Sequence, residues 1–512
     1  MQPIPNNTLP TGTRALRELL WLAAPLVAVS ASRILMGFID VLMVSRLGTE
    51  ALAAISPAAF LIWVFLWGAM GTATSVQTFT SQADGQGQAA RGAEYTWQTV
   101  YLGLASWVVA APVAALLPAL IQWIGTVGGQ TPGVLQAQID YSVITIWAML
   151  PAVIAAGLEG FFNGIKRPMV TLVAALVSLV VNALANWLFI FGPTLGWPAL
   201  TIPGLGTIPA FSVTFPAFGI WGAGLGTVVG WWARALLLFV VFVSADANLR
   251  YRTRRALRPS VAKIVDIFRI GLPTAAMGVF EIGAWVVFLN FIAPHYGTAA
   301  LAATNAAMQY THVAFMPAVG IGMALCSQVG FAIGAQRMHE AVFRTRVALW
   351  LNMLYMGLAG LFLFLAREPL LRVMSTDDLV LSIGGWIMLW VSLYQVFDAM
   401  SITYIFSLRG AGDTTMPAIF SAACCWILFV GGSYALHIFA PQLGIHGPWW
   451  MAVAYLTALG LLLWWRFRSG VWQHVKVFSA AASTPADEID AAAPLTGLEP
   501  AEAGHAHQRA GA

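Results

Sequence analysis

The sequence predicts an all-α polytopic membrane protein with twelve transmembrane helices, arranged as two parallel six-helix bundles. Three observations carry that prediction: the composition, the spacing of apolar runs with their basic flanks, and an internal repeat. Of 512 residues, 59% are hydrophobic and 9% charged, and the mean hydropathy is +0.78. A soluble globular chain carries roughly 45–50% apolar and about 25% charged residues. A water-facing surface cannot be built from so few charges. A net charge of +4 with no dense basic face excludes a nucleic-acid partner. Three cysteines exclude a disulfide scaffold.

A span needs ~20 mostly apolar residues. The first such run, 16–44, follows Arg14 and Arg17 and closes before Arg46. The second and third, 54–81 and 97–122, flank a polar turn that holds Arg91. Lys166 and Arg167 part the fourth run, 139–163, from the fifth, 169–192. A Pro- and Gly-rich loop at 193–217 precedes the sixth, 218–246. Next comes a basic stretch with Arg250, Arg252, Arg254, Arg255, Arg258, Lys263 and Arg269. The seventh and eighth runs, 263–293 and 301–333, lead to Arg337, Arg344 and Arg346; the ninth, 342–366, leads to Arg367 and Arg372. Arg409 closes the tenth, 382–408, and the eleventh and twelfth occupy 416–440 and 448–468, ending at Arg466, Arg468 and Lys476. Runs such as 172–181 show no alternation, so these are helices rather than barrel strands.

With the N-terminus in the cytoplasm, the far side receives only Arg46, Arg367 and Arg372. The positive-inside rule therefore predicts both termini cytoplasmic. The basic loop at 250–258 serves that topology and needs no nucleic-acid ligand.

Gly48-Thr49-Glu50-Ala51-Leu52-Ala53-Ala54 recurs as Gly297-Thr298-Ala299-Ala300-Leu301-Ala302-Ala303, a displacement of 249. The same shift pairs Gly71 with Gly320, Ala83 with Ala332, Gly85 with Gly334 and Pro168 with Pro417, and a shift of 248 pairs Pro25 with Pro273. The first run, which has the outline of a cleavable leader, is thus a repeat member. Later, Gly219-Ile220-Trp221-Gly222 matches Gly444-Ile445-His446-Gly447 at a shift of 225, which marks an insertion within 193–217. The organisation expected is a short segment 1–13, an N-lobe 14–247, a basic linker 248–262, a C-lobe 263–470 and a tail 471–512, disordered from about 479. Six spans per half keep both halves in the same orientation, and parallel halves around a central cavity suit rigid-body alternating access.

Acids inside the hydrocarbon cost ~2.5–3.5 kcal/mol each at a span centre. Asp40, Glu281 and Asp398 stand there with no basic residue at i±3 or i±4. At such depth a carboxyl either takes up a proton or holds a cation, and Glu281 and Asp398 with neighbouring oxygens offer a site for Na⁺. A structural hydrogen bond between helices is the alternative. Ser178, Asn182 and Asn186 recur every four residues and share one helix stripe; they face a cavity or glue helices. Tyr394 and Gln395 stand one turn before Asp398. Arg33 shares a face with Asp40 two turns away, too far for direct contact. Glu159, Arg234 and His312 are expected as interhelical partners rather than ligands. Cys326, Cys424 and Cys425 read as small hydrophobes. With no metal-ligand spacing, phosphate loop or nucleophile–base pair, neither an enzyme nor a cofactor is expected.

Met36-Gly37-Phe38-Ile39-Asp40 with Leu47-Gly48 and Ala51 to Ala54 resembles the opening of the multidrug and toxic compound extrusion (MATE) family. Gly271-Leu272-Pro273 with Glu281, and Phe397-Asp398 with Leu408 to Asp413, resemble it too, on the NorM-like side. The resemblance covers about 14–470. It implies a monomer of two bundles forming a V in the bacterial inner membrane. It implies export of organic cations and other amphipathic toxicants by antiport with inward Na⁺ or H⁺. Asp40, Glu281 and Asp398 are then the coupling carboxylates, and Asn182 and Asn186 cavity residues. Two features depart from the family pattern: Arg33 on the first span, and the long 193–217 loop. The competing expectation is a flippase for lipid-linked precursors, for which Arg33 and Arg234 are the only cavity cations available; a channel or membrane enzyme ranks below it.

Overall fold

The protein is described by a computed structural model over residues 12–127, 130–197, 200–202, 206–208 and 211–479. Most of the segment 1–13 and the tail from 480 lie outside the described residues. Among the described residues, twelve helices are long and apolar enough to cross a membrane. In the first half these are α1 Gly12–Leu47, α2 Thr49–Gly85, α3 Ala89–Thr126, α4 Pro132–Gly164, α5 Pro168–Phe191 and α6 Ile220–Phe242. In the second they are α7 Val261–Tyr296, α8 Thr298–Gly334, α9 Met338–Leu365, α10 Asp378–Ala411, α11 Thr415–Phe439 and α12 His446–Arg468. Most overrun the apolar stretch that predicts them, because the helix continues past the hydrocarbon edge to a short polar turn. The fourth starts at Pro132 rather than 139, with proline where its missing N–H leaves nothing unsatisfied.

The insertion is a correction to the expected loop. Strand β1 Thr194–Trp197 pairs antiparallel with β4 Phe211–Thr214, and β2 Leu200–Ile202 with β3 Gly206–Ile208. Its short stretches of Thr, Ile, Val and Trp suit a ribbon, and a Thr194–Thr214 hydroxyl contact of 2.9 Å closes its base.

Packing in the two halves follows one pattern shifted by six helices. In the first half α1 packs on α5, α2 on α4, α3 on α4 and α5 on α6; in the second α7 packs on α11, α8 on α10, α9 on α10 and α11 on α12. The halves meet along α1–α8 and α2–α7. The turns at Gly48 (φ +112°) and Gly297 (φ +92°) are repeat-related and need glycine, because a Cβ is strained at such angles.

Hydrogen bonds between the halves cluster at the end where α1 begins and α12 finishes. The Gln77 amide donates to Ser327 Oγ and to the Met323 carbonyl, each at 2.8 Å. Thr78 and Gln82 donate to the carbonyls of Arg409 and Gly410 at 2.8 and 3.0 Å, and Arg409 returns a bond to the Thr74 carbonyl at 2.7 Å. Residues 471–479 cross this end: Arg269 holds the carbonyls of Lys476 and Val477, and Phe478 packs on Phe79 and Tyr95. Toward the opposite end large apolar side chains such as Phe38 on α1, Phe60 on α2 and Phe291 on α7 lie exposed. The hydrogen bonds and the 471–479 segment thus seal the two halves together at one end.

Candidate functional site

Each half holds acidic residues in its membrane-spanning interior, in contrasting surroundings. In the first half Asp40 on α1 is buried, and the Asn186 amide of α5 donates to its Oδ1 at 2.5 Å. Thr227 of α6 places its hydroxyl 3.5 Å from Oδ2. Asn182 lies beside this carboxylate, and neither atom of its amide has a hydrogen-bond partner. Ser178 lines the same cavity while its hydroxyl donates to the Gly230 carbonyl at 2.8 Å. Of the stripe predicted on α5, Ser178 alone lines the cavity and also ties two helices; Asn182 and Asn186 are fully buried outside that lining, with Asn186 bonded to Asp40.

Asp40 opens onto a cavity of about 260 Å³ walled by α1, α2, α4, α5 and α6, with Trp63, Tyr141 and Trp231 among its aromatic surfaces. Arg33 and Arg234 also line it. Neither reaches Asp40. Both instead hold Glu159 of α4, through Arg33 Nη2 to Oε2 at 3.2 Å and through Arg234 Nε to Oε1. Glu159 and Arg234 are interhelical partners as expected, whereas Arg33 gains a partner that its sequence neighbours do not reveal. His312 is exposed and has no hydrogen-bond partner among the described residues, against the expectation of an interhelical role.

In the second half Glu281 on α7 and Asp398 on α10 stand within electrostatic reach of each other. Asp398 is buried and Glu281 partly exposed. Neither carboxylate has a hydrogen-bond or ion-pair partner among the described residues. Tyr394 is buried next to Asp398, and the fully buried Gln395 amide has no partner for either of its atoms. Cys425 and Tyr455 complete the surroundings. Cys425 belongs to a π-helical stretch of α11, Cys424–Gly431, a local widening often found at functional sites.

Thr227, Tyr141, Cys425 and Tyr455 escape a sequence reading because nothing in their own neighbourhoods marks them. Their roles come from helices brought alongside by the fold. Among the described residues no group of three or more His, Cys, Asp or Glu side chains is placed to hold a metal ion. A cation between Glu281 and Asp398 would need neutral oxygens for the rest of its shell.

Comparison with known proteins places the chain in a family and supports its fold. A family model described as MatE matches residues 25–188 and 274–434. The chain is 28% identical over 480 residues to a probable multidrug resistance protein NorM of Rhizobium meliloti (strain 1021), covering 90% of this chain and 94% of that one. It is 25% identical over 455 residues to the multidrug resistance protein NorM of Vibrio cholerae serotype O1, covering 87% and 93%. Among solved structures, the eukaryotic MATE transporter AtDTX14 superposes with a TM-score of 0.77 at 19% identity, over 92% of this chain and 99% of that one. An outward-facing multidrug resistance MATE family transporter superposes at 0.74 and 18% identity, over 92% and 100%.

Proposed function

The chain belongs to the MatE family, and on that premise we propose that it is a multidrug efflux transporter of the bacterial inner membrane, acting by antiport with inward Na⁺ or H⁺. The observation that carries this reading is the Glu281–Asp398 pair. Two acids within electrostatic reach, with no basic or amide partner, suit a site that gains and loses a small cation. Asp40, already solvated by Asn186, suits a fixed charge that orients substrate in the first half.

The sealed end is the cytoplasmic one, because it carries the basic loops. On this reading, closure at that end leaves the substrate path open to the outside. An ion entering from outside neutralises the second-half pair, the interior between the halves loses negative charge and with it its hold on a cationic or amphipathic drug, and the drug leaves. Rocking about the α1–α8 and α2–α7 seams then exposes the pair to the cytoplasm, where the ion departs and the next drug binds. Rigid halves and one moving seam are what parallel repeats provide.

The test is efflux of ethidium from proteoliposomes under imposed Na⁺ or pH gradients. Asp398→Asn abolishes gradient-driven efflux while downhill leak remains. Unchanged coupling in that variant refutes the assignment.

A further inference from the structure

We propose that the outer end of the second half holds a binding site for a transition-metal dication such as Zn²⁺, ligated by His295 of α7 and His437 of α11. The site lies apart from the carboxylates described above and stands whether or not the chain exports drugs.

Both helices finish at the end opposite the sealed one. His295 stands in the 3₁₀ turn Ala293–Tyr296 that ends α7, and His437 in the last turn of α11. The two rings approach with their centres 5.0 Å apart and their planes tilted by 58°, so they do not stack. A tetrahedral Zn²⁺ holds imidazole nitrogens at about 2.0–2.1 Å, and two rings directed at one such ion have their centres about 5 Å apart. The observed spacing is the one that a shared ion sets. His295 is exposed and His437 partly so, which opens the pair to ions from the aqueous phase.

The tyrosine beside His295 meets a second requirement. Tyr296 Oη lies 3.2 Å from His437 Nδ1, and its ring meets the imidazole edge-on with centres 5.4 Å apart. With Nδ1–H donating to that oxygen, Nε2 keeps its lone pair for a metal. A ligating histidine almost always spends its other ring N–H in this way, and the bond fixes both tautomer and ring orientation. One turn of α7 thus supplies one ligand and orients the other. Imidazole suits Zn²⁺, Cu²⁺ and Ni²⁺, whereas Mg²⁺ and Ca²⁺ require oxygen. Two nitrogens leave the remaining positions to water. The ion ties α7 to α11 just outside their π-helical stretches, Phe288–Ile292 and Cys424–Gly431, where Phe288 packs on Phe429.

The experiment uses the full chain in detergent without an affinity tag. His505 and His507 are replaced by alanine in this parent, because a His-Ala-His triplet competes for metal. Thermal melting is followed across a ZnCl₂ titration, since an ion that binds the folded state alone raises the melting temperature. The parent's melting temperature rises with Zn²⁺. His295→Ala and His437→Ala each weaken Zn²⁺ binding at least about tenfold, and Tyr296→Phe, which keeps both ligands, weakens it about tenfold. Equimolar Cu²⁺ reports its ligands by electron paramagnetic resonance: two nitrogens in the parent, one in each alanine variant. The proposal is overturned by a parent whose melting temperature ignores Zn²⁺, by an alanine variant that keeps the parent's affinity, or by a parent Cu²⁺ spectrum with a single nitrogen. Unchanged affinity in Tyr296→Phe overturns the orienting role of the tyrosine. Should His437→Ala fail to fold, His295→Ala decides, because its exposed ring carries little packing.

Discussion

Gly71 of α2 lies so near Ala275 of α7 that a Cβ on the glycine would stand 2.8 Å from the Ala275 Cα, and the repeat makes the contact again. A Cβ on Gly320 of α8 would stand 2.8 Å from the backbone nitrogen of Val27 on α1. Both seams between the halves therefore depend on the absence of a side chain. Enlarging one end of the pair, as in Gly320→Leu, overpacks the seam at a cost of ~1–3 kcal/mol. A cost of that size changes the ratio of sealed to open states about 5–150-fold. In a background with Cys326, Cys424 and Cys425 replaced by alanine, a cysteine at Ser327 becomes more reactive to maleimide and efflux falls. Unaltered labelling would show that the seam does not set the equilibrium.

Much of this was legible in the chain, and the reason is energetic. An acid at mid-membrane is too costly to be incidental, so Asp40, Glu281 and Asp398 announce themselves without any fold. Polar stripes and repeat shifts are local arithmetic, and Asn186 follows from its spacing. Ion pairs between distant helices are not local: Glu159 meets Arg33 and Arg234 across 126 and 75 residues of sequence, and no spacing rule connects them. The ribbon at 194–214 was hidden for another reason, since Gly and Pro mark turns without saying whether the short pieces between them pair.

Glu159 holds two cations apart in a low-dielectric interior, so removing its charge leaves Arg234 buried without a counter-ion. Loss of one partner from a buried pair costs ~3–5 kcal/mol. Glu159→Gln lowers the melting temperature in detergent clearly, and adding Arg234→Met restores more than half of the loss. An additive double variant would mean that the two side chains do not depend on each other.

Lys166, in the turn between α4 and α5, sets its ammonium 3.0 Å from the centre of the Phe331 ring across the sealed end. Burial pulls its pKa down to about 8, against an opposing pull from Asp84. When the halves part, Phe331 leaves and the amine returns toward its free value near 10.4. Between about 8 and 10.4 the sealed state thus binds fewer protons than the open one, and rising pH favours sealing by up to tenfold per unit. In the same cysteine-replaced background, labelling of the Ser327 cysteine, divided at each pH by that of the denatured chain, falls between pH 7.5 and 9.5, and the ratio stays level in Lys166→Met.

The charge carried by the substrate decides what the membrane potential can do. A monovalent cation leaving in exchange for one entering ion moves no net charge, so voltage contributes nothing. A zwitterion leaving for the same ion moves one positive charge inward, worth ~2.3 kcal/mol at 100 mV. At about 1.4 kcal/mol per decade that is roughly 50-fold in the gradient sustained. In proteoliposomes with a potassium diffusion potential, export of the zwitterionic dye rhodamine 110 responds to voltage, and export of its methyl ester, the monovalent cation rhodamine 123, does not. A voltage response from the ester means that at least two ions enter per molecule, and the acid then responds more steeply still. An acid exported with no voltage response must leave with a compensating charge, and one-for-one exchange with the entering ion is then wrong.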